Sequence, residues 1–261
     1  MLQFSFIRFK LNRFLRKTGI IPIFLIKSRI EYYKERFYPK VMSIENTLEL
    51  LNSGYSLSRI GDGEYNLCFN QSISFQKSNI DLNKKLRLLL KIGRDDGIKY
   101  LAGIPRLKYN GKTFWGEFWF SHLPQISKLL NNKIEYADLG ISRHIELFHL
   151  DELQMIWYEK NVMFIYGKNS KFDVNHDIFK SINYKLILES SNNNAFDEIH
   201  NILYQVNERK NSIDLILIAL GPTASVLAYD ICVKFQIQAI DIGHLTNVID
   251  FKMKGISFED G

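Results

Sequence analysis

Asp62 and Glu64 stand one residue apart in the run Ser58-Arg59-Ile60-Gly61-Asp62-Gly63-Glu64-Tyr65, where an apolar stretch ends in a glycine-punctuated turn. In an extended segment, positions i and i+2 point to the same side, so both carboxylates aim into one small volume. Carboxylates that close repel each other, which calls for a cation between them. Oxygen donors of this kind suit Mg²⁺ or Mn²⁺. A polar turn is the plainer alternative, because Gly-Asp-Gly is good turn chemistry. The spacing alone leaves both open. Gly61 and Gly63 would also let a ligand approach the backbone closely.

A second stretch suggests anion chemistry. The apolar run Leu215–Leu220 leads into Gly221-Pro222-Thr223-Ala224-Ser225 and then a helical pattern. Glycine permits a sharp turn and proline is preorganised for the first helical position. Free N–H groups with the Thr223 and Ser225 hydroxyls could therefore meet a phosphate beyond the strand end. Thr223 and Ser225 capping their own helix is the other reading. Arg143 follows the apolar run Tyr136–Ile141, where it either clamps a phosphate in bidentate fashion or pairs with an acid.

These residues need elements to hold them. A helix is expected over 43–53, with Ser43 as N-cap and Gly54 as stop, followed by a short strand at Leu57–Ile60. Asp81 is expected to cap a helix ending at Gly93, and Tyr100–Ile104 reads as a strand closed by Pro105. The aromatic run Thr113–Phe120 suits core packing, or a wall for a sugar or base. Beyond residue 160, nearly continuous apolar strands at Val162–Gly167, Lys185–Leu188, Ile213–Leu220 and Gln238–Gly243 alternate with helical patterns at Asp177–Ile182, Ala195–Glu208 and Pro222–Phe235. Strands buried on both faces and alternating with helices specify an α/β fold: a Rossmann-like, mostly parallel sheet with helices on both sides.

The chain has 261 residues, 46% of them apolar, enough to bury a full core. Its charge of +6 is unevenly placed. Residues 1–40 hold ten Lys/Arg against two Glu, leaving 24 basic and 26 acidic residues in the remainder. The domain organisation expected is a basic, aromatic, helical arm over 1–40 and a body over 41–261. A basic arm on a slightly acidic body argues against a nucleic-acid-binding core. The arm's apolar run Ile20–Ile26 is far shorter than the roughly 20 residues of a membrane span. Peripheral contact with an anionic membrane through residues 1–38 and packing on the body or on a second subunit, as in a homodimer, both remain open. Cys68 and Cys232 lie far apart in apolar surroundings, which suits a reducing, cytoplasmic setting and buried thiols.

Several stretches together resemble the GT-D type glycosyltransferases, bacterial enzymes of surface-glycan and glycoprotein assembly. These are Arg59-x-Gly61-Asp62-Gly63-Glu64, Ser142-Arg143, Asn194-Ala195-Phe196, Ala219-Leu220-Gly221-Pro222-Thr223-Ala224 and Ala239-Ile240-Asp241-Ile242-Gly243-His244. The similarity runs from about residue 43 to about residue 250. It implies a UDP-sugar donor, a glycan or lipid-linked acceptor at the inner face of the plasma membrane, and an Mn²⁺ or Mg²⁺ ion at a D-x-E pair. On this chain Asp62, Glu64 and His244 would hold the metal, with Arg59 orienting the acids or touching phosphate. Gly61, Gly63, Arg143, Ser170, Lys171, Asp177, Asn194, Thr223 and Ser225 would contact the donor, and Asp177, Asp241 or His244 would serve as general base. One segment departs from the pattern. Where the family usually has Ser-Arg-x-Gly-x-Gly-Asn-Asp, this chain has Ser170-Lys171-Phe172-Asp173-Val174-Asn175-His176-Asp177. That departure motivates a rival reading as a non-catalytic partner of a glycan-assembly complex; a sugar-nucleotide hydrolase is a third.

Overall fold

The computed structural model describes residues 36–109, 112–113 and 116–255, with the side chains of 108–121 outside that description. The predicted arm lies outside the described residues up to position 35, and the aromatic side chains of 113–120 do so as well. Tyr38, inside the predicted arm, is buried in the core, and its hydroxyl donates to Pro105 O at 2.7 Å. Tyr38 thus belongs to the folded body.

Helix α1 (Ile44–Asn52) starts where Ser43 Oγ accepts the Asn46 N–H at 3.1 Å. It buries Ile44, Leu48 and Leu51 on one face, and Leu51→Ala in such a site costs about 2–5 kcal/mol. Strand β1 (Ser56–Arg59) passes directly into α2 (Asp62–Cys68). Helix α3 (Ile80–Ile92) is capped by Asn79, not Asp81: the Asn79 carboxamide oxygen accepts the Asp81 and Leu82 N–H groups, placing Asp81 in the first turn. Two short strands follow, β2 (Arg94–Asp95) and β3 (Tyr100–Ile104), then a small hairpin of β4 (Lys108–Tyr109) and β5 (Lys112–Thr113), and helix α4 (Gly116–Leu129). The apolar run at 136–141 supplies only the short strand β6 (Ala137–Asp138), because Asp138 Oδ1 accepts the Gly140 N–H and turns the chain into a 3₁₀ segment, Leu139–Ser142.

After α5 (Leu150–Met155) the alternation matches the expectation closely: β7 (Asn161–Gly167), β8 (Tyr184–Ser190), α6 (Ile199–Arg209), β9 (Leu215–Ala219), α7 (Pro222–Phe235), β10 (Gln238–Asp241) and α8 (Leu245–Met253). The expected helix at Asp177–Ile182 reduces to a 3₁₀ turn, Asp177–Phe179, and the one expected from Ala195 opens with a 3₁₀ turn, Ala195–Glu198. The large sheet runs β2-β3-β1-β10-β9-β7-β8, with β6 on β3, and every pairing except β2 with β3 is parallel. Alternate residues feed two cores. Ile216 and Ile218 pack with α3, α6 and α7, whereas Leu215 and Leu217 pack with α1, α5 and α8. Helices therefore cover both faces. The chain leaves β1 toward β3, yet β1's other neighbour is β10, the last strand. Such a divergence opens a crevice at the carboxyl ends of the strands.

Candidate active site at the strand ends

That crevice is a cavity of about 680 Å³. Its wall is assembled from the turns after β1 (Gly61–Glu64), β6 (Leu139, Arg143), β7 (Asn169–Phe172), β9 (Leu220–Pro222) and β10 (Gly243, His244). Residues far apart in sequence converge because parallel strands deliver all their carboxyl ends to one edge.

Both predicted carboxylates reach the wall, but the chain carrying them is helical and not extended. Gly61 is the N-cap of α2, with Asp62 and Glu64 at its first and third positions. At 3.6 residues per turn these side chains diverge by roughly 200° around the helix axis. Asp62 stays exposed, while Glu64 turns back so that Oε2 accepts the Gly61 N–H at 2.7 Å. Glu64 satisfies one of the helix's orphan donors, which explains why this turn coils. Loss of hydration, then the nearby Asp241 carboxylate, push the Glu64 carboxyl up to about 7, with the Gly61 N–H pulling the other way.

Asp241, the last residue of β10, is the hub of the crevice floor. Its Oδ1 lies 3.4 Å from Arg59 Nη1 and accepts the Gly243 N–H at 3.1 Å. Its Oδ2 lies 2.9 Å from Ser225 Oγ, which is also 2.7 Å from Arg59 O. Burial raises the Asp241 carboxyl, opposed first by Arg59 and then by Ser225. Arg59 also donates from Nε to Leu139 O at 3.3 Å, so its guanidinium is fixed in the wall. Gly243 has φ +48, and a Cβ there would overlap Arg59 Nη1. Only glycine serves both demands. His244 sits exposed at the rim. Loss of hydration there, then the guanidinium groups of Arg59 and Arg143, hold its imidazole below the usual range.

The predicted contacts divide clearly. Arg59, Gly61, Asp62, Gly63, Glu64, Arg143, Ser170, Lys171 and His244 all line the cavity. Asp177 does not: it is exposed and paired with Lys180 at 2.9 Å. Asn194 is turned aside, its Oδ1 accepting the Lys77 N–H at 2.8 Å. Thr223 and Ser225 are fully buried beneath the wall, because the α7 start packs under β1 and sets the Ser225 hydroxyl between Arg59 O and Asp241, within hydrogen-bond distance of each. Sequence reasoning missed Asn66, Phe75, Asn192, Thr246 and Asn247, which share the wall. Phe75 and Asn192 sit in loops without periodicity, while Thr246 and Asn247 stand only two and three residues beyond His244 of the Gly-His pair, within reach of a sequence reading. The altered segment is divided by the fold: Ser170, Lys171 and Phe172 line the cavity. Asp173, Asn175 and His176 lie off the wall, and neither Asp173 nor Asn175 has a positive φ, so neither position requires glycine.

Among the described residues no group of three or more His, Cys, Asp or Glu is placed to hold a metal ion. What the site offers instead is the other way of holding Mg²⁺ or Mn²⁺, in which one or two carboxylates share the ion with substrate phosphates. Asp62 is exposed at the cavity wall and would be the carboxylate to share such an ion, while Glu64 is turned back onto the Gly61 N–H.

Known proteins resemble this chain in sequence and fold. The chain is 28% identical over 231 residues to a probable glycosyl transferase, Gly, of Streptococcus gordonii, and 26% identical over 232 residues to the glycosyltransferase GlyD of Streptococcus pneumoniae. Each match covers 83% of this chain, which spans 33% and 28% of those relatives' lengths. Among solved structures, a glycosyltransferase from Streptococcus sanguinis superposes with TM-score 0.76 at 25% identity, covering 84% of this chain and 87% of that one. A structure of the domain of unknown function 1792, described as having a distinct glycosyltransferase fold, gives TM-score 0.77 at 26% identity over 90% of this chain and 87% of that one. The family model of the glycosyltransferase GT-D fold matches residues 57–256, and on this match, with the parallel sheet and cavity just described, the chain belongs to the GT-D glycosyltransferases.

Proposed function

We propose that this chain transfers a hexose from a UDP-sugar to a glycan or lipid-linked acceptor, with Mn²⁺ or Mg²⁺, in surface-polysaccharide or glycoprotein assembly at the inner face of the membrane. One observation carries the reading: a single cavity has carboxylates on one wall (Asp62, Glu64) and cations on the others (Arg59, Arg143, Lys171). A nucleotide diphosphate with a divalent ion is the ligand that needs both signs. The cavity volume also falls within the roughly 300–1,000 Å³ of small-molecule sites.

Breaking a sugar–diphosphate bond places negative charge on the leaving phosphate, and a fixed field that stabilises it away from water supplies much of the catalysis. When bound, the metal acts as a Lewis acid on the diphosphate oxygens. Arg59, held by Asp241 and Leu139 O, offers its charge without reorganising. Arg143 and Lys171 complete the cationic side, Lys171 as a point charge and not a planar fork. Asp241 fixes Arg59, and its ion pair leaves the exposed His244 as the better placed of the two for an acceptor proton.

The test is release of free UDP from UDP-sugars by the purified chain, with and without Mn²⁺ and with and without acceptor. Metal-dependent turnover that requires acceptor is expected. No consumption of any UDP-sugar would sink the proposal, and full-rate turnover without acceptor would make the chain a hydrolase. For the basic arm, deleting residues 1–38 is expected to abolish sedimentation with anionic vesicles; unchanged sedimentation rules out membrane docking through it.

A further inference from the structure

The donor's phosphates need a seat, and the start of α7, the expected one, is closed. Thr223 is buried away from the wall, the Ala224 N–H donates to Gly221 O, and the Phe75 ring comes within 2.7 Å of where a Gly221 Cβ would stand. The start of α8 is open. We propose that the first turn of α8 binds a phosphate group of a nucleoside diphosphate, through the N–H groups of Thr246 and Asn247 and the Thr246 hydroxyl.

Three observations support this. Gly243, His244, Thr246 and Asn247 all belong to the cavity wall, so the N-terminal end of this nine-residue helix faces the cavity. Its donors are also unspent. No side chain caps the helix; the Leu245 N–H goes to Ile242 O at 3.1 Å and the Val248 N–H to His244 O at 3.0 Å, while those of Thr246 and Asn247 have no acceptor among the described residues. Thr246, finally, is 1% exposed and its hydroxyl has no partner. A buried hydroxyl without a partner is costly and uncommon in a native fold, which calls for an acceptor that arrives from outside. Helix N-termini present N–H groups and the positive end of the dipole to anions. Arg59 and Arg143, whose charges act on the adjacent His244, supply cations beside this seat. The nucleotide part of the claim rests on the glycosyltransferase reading; the phosphate seat does not.

Binding of inorganic pyrophosphate and of UDP to the full chain, measured calorimetrically at fixed Mg²⁺, separates the two. Thr246→Val is expected to weaken both ligands by about 10- to 100-fold, the weight of one charge-assisted hydrogen bond. Its Tm should be equal or higher, since an unpaired hydroxyl is removed, and Thr246→Ser should restore affinity to near wild type. Asn247→Asp should weaken both ligands while keeping Tm, because an acid in the first turn favours the helix but repels phosphate. It decides the question alone if Thr246→Val does not fold. Unchanged affinity in both variants overturns the seat while leaving the donor reading intact. Pyrophosphate binding that the variants lose, in a chain that binds no UDP, keeps the seat and removes the donor reading. A wild-type chain that binds neither ligand overturns both.

Discussion

Two strand-to-helix turns at the same sheet edge have opposite fates. The turn from β1 into α2 presents Asp62 to the cavity and keeps Glu64 at its wall, whereas the turn from β9 into α7 sends Thr223 and Ser225 into the interior. Both begin with glycine, both carry polar side chains, and both follow buried strands. What separates them is the neighbour above. Phe75 covers Gly221, and β1 and β10 supply acceptors for Ser225, so the second turn is spent on the frame that the first turn uses.

The largest test of this contrast exchanges function for stability. Asp62→Ala should lower turnover by about 100-fold or more if the carboxylate holds the metal, worth several kcal/mol at the transition state. Its stability should change by only about 0.3–1 kcal/mol, the helix-dipole share of an exposed first-turn acid. Ser225→Ala should behave in reverse, costing about 1–3 kcal/mol in urea unfolding by leaving the buried Asp241 oxygen short of a donor. If Asp62→Ala unfolds the chain while Ser225→Ala only slows it, the division is drawn the wrong way round.

The glycines sharpen the same comparison at a smaller scale. Gly221 has φ 54 and ψ −144, a region essentially reserved for glycine, and its Cβ would press on the Phe75 ring. Gly221→Ala should therefore cost about 1–3 kcal/mol from backbone strain alone, measured as a shift in urea midpoint. Gly63 lies inside α2, and its added Cβ would stand 3.5 Å from Ile73 Cδ1, an ordinary contact. Gly63→Ala should be neutral or stabilising by up to about 1 kcal/mol, the helix preference for alanine. Equal destabilisation by both would show that the α2 turn is no freer than the α7 turn.

Legibility in the sequence followed the same line. α7 was readable to the residue and β9 to within two, because a Gly-Pro step and a continuous apolar run are local signals. Asp62, Glu64 and His244 were readable as types at strand ends. Their local conformation was not: D-G-E scans as extended chain, and only the Gly61 N–H pairing with Glu64 reveals a helix start. Nor does any local pattern state whether a turn faces cavity or core. That depends on Phe75 and on Asp241, which reach Gly221 and Ser225 only after the sheet has formed. Asp177 illustrates the converse, a conspicuous acid in a motif-like segment whose nearest partner is Lys180 at the surface.

A third helix start, far from the cavity wall, isolates what an acid at an N-terminus does for folding alone. Glu45 stands in the first turn of α1 behind the Ser43 cap, and its carboxylate lies 3.1 Å from His149 Nε2. Hydrogen bonds from its own backbone N–H, then from Ser43 and His149, lower its carboxyl from 4.5 to about 2. A depressed folded-state value means the stabilisation is fully present above the unfolded value of 4.5 and disappears as pH falls toward 2. Glu45→Gln should thus lower the urea midpoint slightly at pH 7, with the gap to wild type closing between pH 5 and 2 and turnover at neutral pH unchanged. The side chain is 58% exposed, which keeps this the smallest of the expected effects. A gap that stays constant across that range would mean the glutamate acts through packing and not through charge, and the likeness to the Asp62 turn would then be one of position only.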